Sequence, residues 1–305
     1  MEDSTQEFAK MFTGGKEDLG KILHGYIYGR WPSLYIYYIR KLAPPDPETT
    51  LRYPKEAATP EADELARLAV ERMLPTLPST ETSTWHGKVV KLDEASALVS
   101  VNRDVSLTNL DNVIPYKLAK DIILKNPDHI AVMQCPCRSS KENPCEPLDV
   151  CMAIGEPFAS FILEHKTNNA RKISQEEAIA IIKAEDDRGH MHSAWFKDAT
   201  AGRFYAICNC CKCCCAAMRA HFFGIPMLAS SGYVSQISEE CTGCGDCVDF
   251  CQFGAIKLNE QAEVIYEKCM GCGVCESKCP VGAISLKRDP AKGEPLDVRV
   301  LAAQA

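Results

Sequence analysis

The sequence predicts an α+β protein with a large cysteine-rich N-terminal domain (residues 1–232), a small C-terminal domain (residues 233–288) and a tail (residues 289–305). Three observations favour this architecture. Helical and strand-like apolar patterns are mixed along the N-terminal domain. An 18-residue block that begins at Cys241 recurs at Cys269 with ten identical positions, which predicts two similar halves related by a pseudo-twofold axis. The 18 cysteines are concentrated in three stretches.

Residues 17–42 are rich in tyrosine, isoleucine and tryptophan and are flanked by cationic side chains. We expect a pair of helices that pack on the protein's own core. The same composition also suits an oligomer or partner surface, or peripheral contact with a membrane. Glycine and proline interrupt the segment, and its apolar part is too short to span a bilayer.

Cap signals predict further helices. Thr59 followed by Pro60 is typical of an N-cap and a first helical position. Ser174 and Glu177 have the spacing of a capping box. Pro115 predicts the start of a short helix that ends near residue 125.

Two alternating runs, 88–92 and 97–102, flank a polar turn and predict a β-hairpin. The apolar run 129–133 predicts a buried strand that leads directly into the first cysteines.

Composition limits the classes of function. The formal net charge of −7 gives little electrostatic support to nucleic-acid binding. The first residues, MEDSTQEFAK, are polar and acidic, so we expect no secretory signal and a cytoplasmic location. In a reducing compartment, clustered cysteines indicate metal ligands rather than disulfides.

Each half of the C-terminal repeat carries the run C-x2-C-x2-C-x3-C, which is typical of a [4Fe–4S] cluster. A zinc ribbon is the alternative, and two tandem four-cysteine runs at these spacings disfavour it. Gly243 and Gly245 lie between cysteines of the first run, and Gly271 and Gly273 do so in the second. A chain that folds tightly around an inorganic core needs backbone freedom at such positions.

Residues 235–288 resemble the bacterial-type 2[4Fe–4S] ferredoxins. The resemblance implies a ferredoxin-like fold with two [4Fe–4S] clusters, in which the fourth cysteine of each run binds the other cluster. It implies one cluster bound by Cys241, Cys244, Cys247 and Cys279, and a second bound by Cys269, Cys272, Cys275 and Cys251. One position departs from the family pattern: Gln252 stands where a proline usually follows the fourth cysteine, whereas Pro280 keeps that proline.

Ten further cysteines form two fields in the N-terminal domain. The first field contains Cys135, Cys137, Cys145 and Cys151, and the second contains Cys208, Cys210, Cys211, Cys213, Cys214 and Cys215. Neighbouring side chains of an extended segment diverge, so the second field cannot direct all of its thiols at one cluster. We expect a third metal centre with ligands from both fields. An iron–sulfur cluster is favoured over zinc, mononuclear iron or metal-free reactive thiols.

Polar residues beside the two fields have open roles. Arg138 could donate a hydrogen bond to a cluster sulfide or to a carboxylate. His190 and His192 could bind the metal, but such histidines are more often loop or hydrogen-bonded core residues. Read together, NPDHIAVMQCPCR, ICNCC and the C-terminal repeat resemble iron–sulfur proteins of anaerobic bacteria that have an extra cysteine-rich N-terminal domain.

The favoured function is single-electron transfer to or from a partner oxidoreductase. Eight acidic residues and three lysines lie in residues 239–286, so a basic docking face on a redox partner would match this domain. The alternatives are a redox enzyme with its active centre in the N-terminal fields, and a redox sensor that responds to cluster loss. The sequence contains no phosphate loop, dinucleotide fingerprint or convincing nucleophile–base pair.

Overall fold

The protein is described by a computed structural model that covers residues 3–12, 16–42, 50–55, 59–73, 85–108, 110–116 and 121–304. Its helices are α1 (Asp3–Lys10), α2 (Lys16–Arg30), α3 (Pro32–Leu42), α4 (Pro60–Leu68), α5 (Leu92–Val99), α6 (Pro136–Ser139), α7 (Phe158–Glu164), α8 (Gln175–Asp187), α9 (Ala216–Phe222), α10 (Asp246–Phe250), α11 (Val274–Ser277) and α12 (Val298–Gln304). Its strands are β1 (Trp85–Val90), β2 (Val105–Leu107), β3 (Ile122–Gln134), β4 (Asp149–Glu156), β5 (Arg171–Ile173), β6 (Met191–Lys197), β7 (Phe204–Cys210), β8 (Leu228–Ala229), β9 (Tyr233–Ile237), β10 (Ile256–Leu258), β11 (Ala262–Val264) and β12 (Ile284–Arg288).

An eight-stranded sheet organises the N-terminal part of the chain. Seven strands follow the order β2-β3-β4-β7-β6-β1-β8, and β5 pairs with β3. All pairings are antiparallel except that of β1 with β8. Side chains alternate across the sheet: Ile130 and Val132 join one core, whereas Ala131 and Met133 join the core on the opposite face. The protein is therefore α+β, as predicted.

The two faces of the sheet carry different partners. Helices α5, α8 and α12 belong to the core on one face. Helices α1 and α7 pack on the other face, and that core continues into the C-terminal repeat through residues such as Cys251 and Phe253. Both cysteine fields contribute to this second face. The repeat and the thiols of the N-terminal fields therefore share one continuous core.

The two halves of the C-terminal repeat have similar backbone structures. Strand β9 pairs with β12, and β10 pairs with β11, both antiparallel. The short helices α10 and α11 are directly preceded by Gly245 and Gly273, which have φ angles of +90° and +88°. Because L-residues rarely adopt such angles, the two halves need glycine at the same place, 28 residues apart.

Several predicted elements are confirmed. Thr59 caps α4, where its Oγ1 accepts a hydrogen bond from the N–H of Ala62. Ser174 caps α8 in the same way through the N–H of Glu177. The aromatic segment forms α2 and α3, and Leu34 and Tyr35 are fully buried in the protein's own core. Among the described residues, no helix combines the length and the apolar character needed to cross a membrane.

The predicted hairpin is wrong. Strand β1 is followed by helix α5 instead of a second strand. Ala95, Leu98 and Val99 are buried at helical spacing, and the Glu94 carboxylate accepts the N–H of Lys91 at 3.1 Å, as in a capping box. The helical spacing of the apolar residues in 92–99 therefore outweighs the alternating pattern at 97–102.

The helix predicted from Pro115 to about residue 125 is also wrong at the residues that the structure describes. Residues 117–120 lie outside the described residues, and the chain from Ile122 onward is strand β3. Ile122 and Leu124 are buried with the period of a strand. Pro127 fits because β3 has a register shift between Lys125 and Ile130. The strand predicted for 129–133 lies within β3.

The residues predicted as a tail pack on the N-terminal domain. Leu296 and Val298 are buried in the core beneath α5, and α12 contacts α5 and β2. The apolar character of this segment therefore serves the N-terminal core rather than an exposed end.

Candidate metal centres

The C-terminal cysteines converge on two separate cavities. The outer cavity is lined by Cys241, Cys244, Cys247 and Cys279, and the inner cavity is lined by Cys251, Cys269, Cys272 and Cys275. Each cavity thus combines three close cysteines of one run with the fourth cysteine of the other run. This is the grouping that the ferredoxin resemblance implies.

The fourth cysteine of each run accepts an equivalent hydrogen bond from the backbone. The N–H of Ala255 donates to the Cys251 sulfur, and the N–H of Ala283 donates to the Cys279 sulfur, both at 3.2 Å. Such donors stabilise negative charge on a thiolate and, in a cluster, raise its reduction potential. The inner cavity adds a hydroxyl, since Ser235 Oγ lies 3.1 Å from the Cys275 sulfur.

The two cavities differ in exposure. Cys244 of the outer cavity is exposed, whereas Cys251, Cys269 and Cys275 of the inner cavity are buried. Burial raises the pKa of Cys275 to about 12, with the Ser235 hydroxyl opposing the shift. The cysteines of the outer cavity are therefore closer to solvent, and those of the inner cavity are more deeply buried.

The N-terminal cysteines separate into two groups. Six of them, which we call the thiol ring, have neighbouring thiols in the order Cys135, Cys137, Cys215, Cys210, Cys208, Cys151 and back to Cys135. The thiol ring borders a buried, mostly apolar cavity of about 80 Å³. The other four, the thiol quartet, are Cys145, Cys211, Cys213 and Cys214, whose sulfur atoms all lie within 4.8 Å of one another.

Local structure explains this separation. Cys208 and Cys210 point to the same face of β7, and Asn209 between them points to the other face, where it donates to the carbonyl of Val150 at 2.8 Å. Residues 211–214 then form the turn that leads into α9. The ends of the second field, residues 208, 210 and 215, therefore belong to the thiol ring. Its middle residues, 211, 213 and 214, belong to the thiol quartet.

The sequence of the C-terminal repeat is similar to that of a known family of domains. Residues 240–283 match the family model of the 4Fe-4S dicluster domain. The C-terminal repeat is thus an iron–sulfur domain of that kind. No curated protein and no solved structure matches the chain.

The polar residues near the thiol ring form a core network. Arg138 is 1% exposed, and its Nη2 lies 2.5 Å from Oε2 of the fully buried Glu185. The same nitrogen lies 3.1 Å from Nδ1 of His190, which is itself 2.7 Å from that carboxylate. His192 pairs with Asn209 at 2.7 Å. Arg138 thus pairs with a carboxylate, and both histidines are hydrogen-bonded core residues.

Aromatic residues that spacing did not reveal line the cavity of the ring. The hydroxyl oxygens of Tyr28 and Tyr205 lie 2.7 Å apart, and the indole N–H of Trp85 donates to Tyr205 at 3.2 Å. Burial, followed by the neighbouring Tyr205, Cys208 and Cys137, raises the pKa of Tyr28 well above its usual range. The ammonium of Lys197 lies 4.8 Å from the centre of the Tyr28 ring.

Gln252 connects the repeat to the second field. Its side chain is buried, its Nε2 donates to the carbonyl of Gly189 at 2.6 Å, and its Oε1 accepts the N–H of Lys212 at 2.8 Å. Lys212 is the residue between Cys211 and Cys213, and Gln252 directly follows Cys251 of the inner cavity. A proline at this position could make neither hydrogen bond, which gives the family departure a structural reason.

Proposed function

We propose that this protein is an electron-transfer protein that relays single electrons between a partner protein and a polynuclear metal–sulfur centre in its own thiol ring. The outer and inner cavities each hold one [4Fe–4S] cluster, bound by the four cysteines that line it. The observation that carries this proposal is the order of the sites: a solvent-facing cavity, a buried cavity, and Gln252 joining that buried cavity to the cysteine field.

The donor sets fit these centres. Four thiols around each C-terminal cavity match the needs of a cubane, and bound [4Fe–4S] clusters supply reversible one-electron transfer. The thiol ring offers six thiols in a mostly apolar, buried space. A tetrahedral ion takes only about four ligands, so six converging thiols favour a centre with several metal atoms.

The role of Gln252 gives a direct test. Gln252→Ala removes the hydrogen bonds to Lys212 and Gly189 but no ligand. After rapid anaerobic reduction, freeze-quench EPR should show slower appearance of the signal of the reduced N-terminal centre, with unchanged signals from the C-terminal clusters. Gln236→Ala, which changes an exposed glutamine on β9, is the matched control. An unchanged rate in Gln252→Ala would contradict this route.

We propose the kind of redox partner from the negative charge of the C-terminal domain. All eight acidic residues of the C-terminal domain are exposed: Glu239, Glu240, Asp246, Asp249, Glu260, Glu263, Glu267 and Glu276. We expect a redox partner with a basic docking face, whose association is faster at low ionic strength. Reduction of a cationic redox protein should fall as salt is added.

A pair of double variants checks the docking face. Glu239→Gln with Glu240→Gln removes charge beside the outer cavity, whereas Glu61→Gln with Glu64→Gln removes the same charge from α4. The first pair should lower the rate with the cationic redox protein and weaken its salt dependence. Equal effects of both pairs would argue against docking at the outer cavity.

A second function is favoured by the hydrogen-bonded tyrosine pair beside the ring. Tyr28 and Tyr205 place phenolic protons next to the proposed redox centre, as the active site of a reductase acting on a small molecule would require. If the ring is an active centre, Tyr28→Phe should lower turnover of that molecule while iron content stays unchanged. A protein that only carries electrons would show no turnover without its partner.

A further inference from the structure

We infer that the thiol quartet binds a single tetrahedral metal ion, Zn²⁺ or Fe²⁺. This site shares no ligand with the thiol ring, although Cys211 and Cys214 also border the ring's cavity, and it lies apart from both C-terminal cavities. This inference does not depend on the direction or the partner of electron transfer. It concerns Cys145, Cys211, Cys213 and Cys214, which bring one thiol from the first field to three thiols from the second.

The spacing of the sulfur atoms matches one ion. The distance from Cys213 is 3.0 Å to Cys145, 3.4 Å to Cys211 and 3.7 Å to Cys214. The distance between Cys145 and Cys211 is 3.8 Å. A tetrahedron with metal–sulfur bonds of about 2.3 Å has sulfur–sulfur edges of about 3.8 Å. Four thiols this close surround one atom, not a cubane.

The C-terminal domain provides an internal comparison. Within the part of the chain that the structure describes, the quartet is the one group of potential metal ligands with this mutual spacing. The outer and inner cavities also gather four cysteines each, but at larger separations, as a four-iron core between the thiols requires. The protein thus contains a close group of four cysteines, which suits a single ion, and two wider groups, which suit a cluster.

The surroundings favour four thiolates. Four thiolates on a divalent ion leave two net negative charges, and cations approach the site. Arg40 donates to the carbonyl of Cys214, and the ammonium of Lys141 donates to the carbonyl of Cys213 at 3.2 Å. The N–H of Cys145 also points at the Cys214 sulfur, 3.4 Å away. Cationic groups and N–H donors stabilise metal-bound thiolates.

The ion would organise the neighbouring thiol ring. Cys211 directly follows Cys210, and Cys214 directly precedes Cys215, so both ends of the turn continue into ring thiols. Binding Cys145 to this turn fixes the first field against the second. We therefore expect the ion to hold ring cysteines in place without taking part in the ring itself.

The test compares two cysteine variants of the full chain, purified without oxygen. Cys145→Ala should lose one zinc or one mononuclear iron per chain, while the inorganic sulfide content stays near that of the wild type. Cys208→Ala, which changes the ring, should lose sulfide and keep the single ion. X-ray absorption of the wild type should show four sulfur neighbours at about 2.3 Å from that ion. Zinc absorption or a mononuclear iron signal identifies the metal.

Three results would overturn the inference. One is a disulfide between Cys145 and Cys213 in the anaerobic protein by mass spectrometry. Another is loss of a four-iron cluster with its sulfide from Cys145→Ala. The third is a metal content that does not change in this variant. If Cys145→Ala fails to fold, Cys213→Ser at the exposed member of the quartet supports the same comparison, and the absorption spectrum of the wild type needs no variant.

Discussion

The C-terminal repeat and the N-terminal fields both gather cysteines, but they do so in two different ways. In the repeat, three of the four thiols at each cavity come from seven consecutive residues, and the fourth comes from the equivalent position of the other run. In the N-terminal domain, the ring collects its six thiols from β4, β7, and the segments around α6 and α9. Local spacing defines the first arrangement, and the sheet defines the second.

This difference determines how each region responds to change. A thiol of the repeat is placed by its own loop and by glycines such as Gly245 and Gly273. A thiol of the ring is placed by distant contacts, including the Arg138–Glu185 ion pair. Substitutions away from the ligands should therefore disturb the ring more readily than the repeat.

The largest expected effect comes from removing one thiol in each region. Cys272→Ala, at the inner cavity, should lower the iron content by about four atoms per chain and leave the N-terminal centre loaded. Cys208→Ala should keep the iron of the two C-terminal clusters, about eight atoms, together with the single ion of the thiol quartet. Iron and sulfide analysis with EPR measures both. The comparison fails if Cys208→Ala has the metal content of the wild type.

The buried ion pair should give the next largest effect. Arg138→Leu removes the buried cation that pairs with Glu185 and leaves this buried carboxylate with His190 and Arg188, which should cost about 3 kcal/mol. Arg67→Leu breaks the exposed pair with Glu71 on the N-terminal helices and should cost about 0.5 kcal/mol or less. Anaerobic denaturant unfolding measures the difference. Equal costs for the two variants would show that the network around Arg138 does not stabilise the N-terminal domain.

A smaller effect should appear in the pH dependence of stability. Burial lowers the pKa of Lys197 from 10.5 to about 8. Between these values the unfolded chain keeps a proton that the folded protein has released, so stability should rise with pH by about 3 kcal/mol across this window. Lys197→Met should remove that rise, and Lys183→Met, at an exposed site, should keep it. Identical pH profiles for wild type and Lys197→Met would contradict a neutral Lys197.

Sequence reasoning was most effective where structure is local. The cysteine runs, the glycines between them and the caps at Thr59 and Ser174 all depend on contacts within a few residues. The match of residues 240–283 to the dicluster domain agrees with that interpretation. The hairpin prediction failed because residues 97–99 fit both the alternating and the helical period, and packing against α8 and α12 selects the helix.

The grouping of the N-terminal cysteines could be anticipated only in part. The abundance of cysteines predicted a metal site, and strand alternation predicted that the second field must divide. Which thiols meet depends on β4 and β7 pairing and on the turn after Cys210, neither of which leaves a spacing signal. The tyrosines beside the ring were hidden for the same reason, since Tyr28 and Tyr205 are far apart in sequence.

The most direct test of the central proposal is the iron and acid-labile sulfide content of the wild-type protein, purified without oxygen and examined by EPR after dithionite reduction. We expect clearly more than the roughly eight iron atoms that two [4Fe–4S] clusters supply, with matching extra sulfide and a signal beyond that of two coupled cubanes. About eight iron atoms and the spectrum of two coupled cubanes alone would mean that the thiol ring holds no iron–sulfur centre.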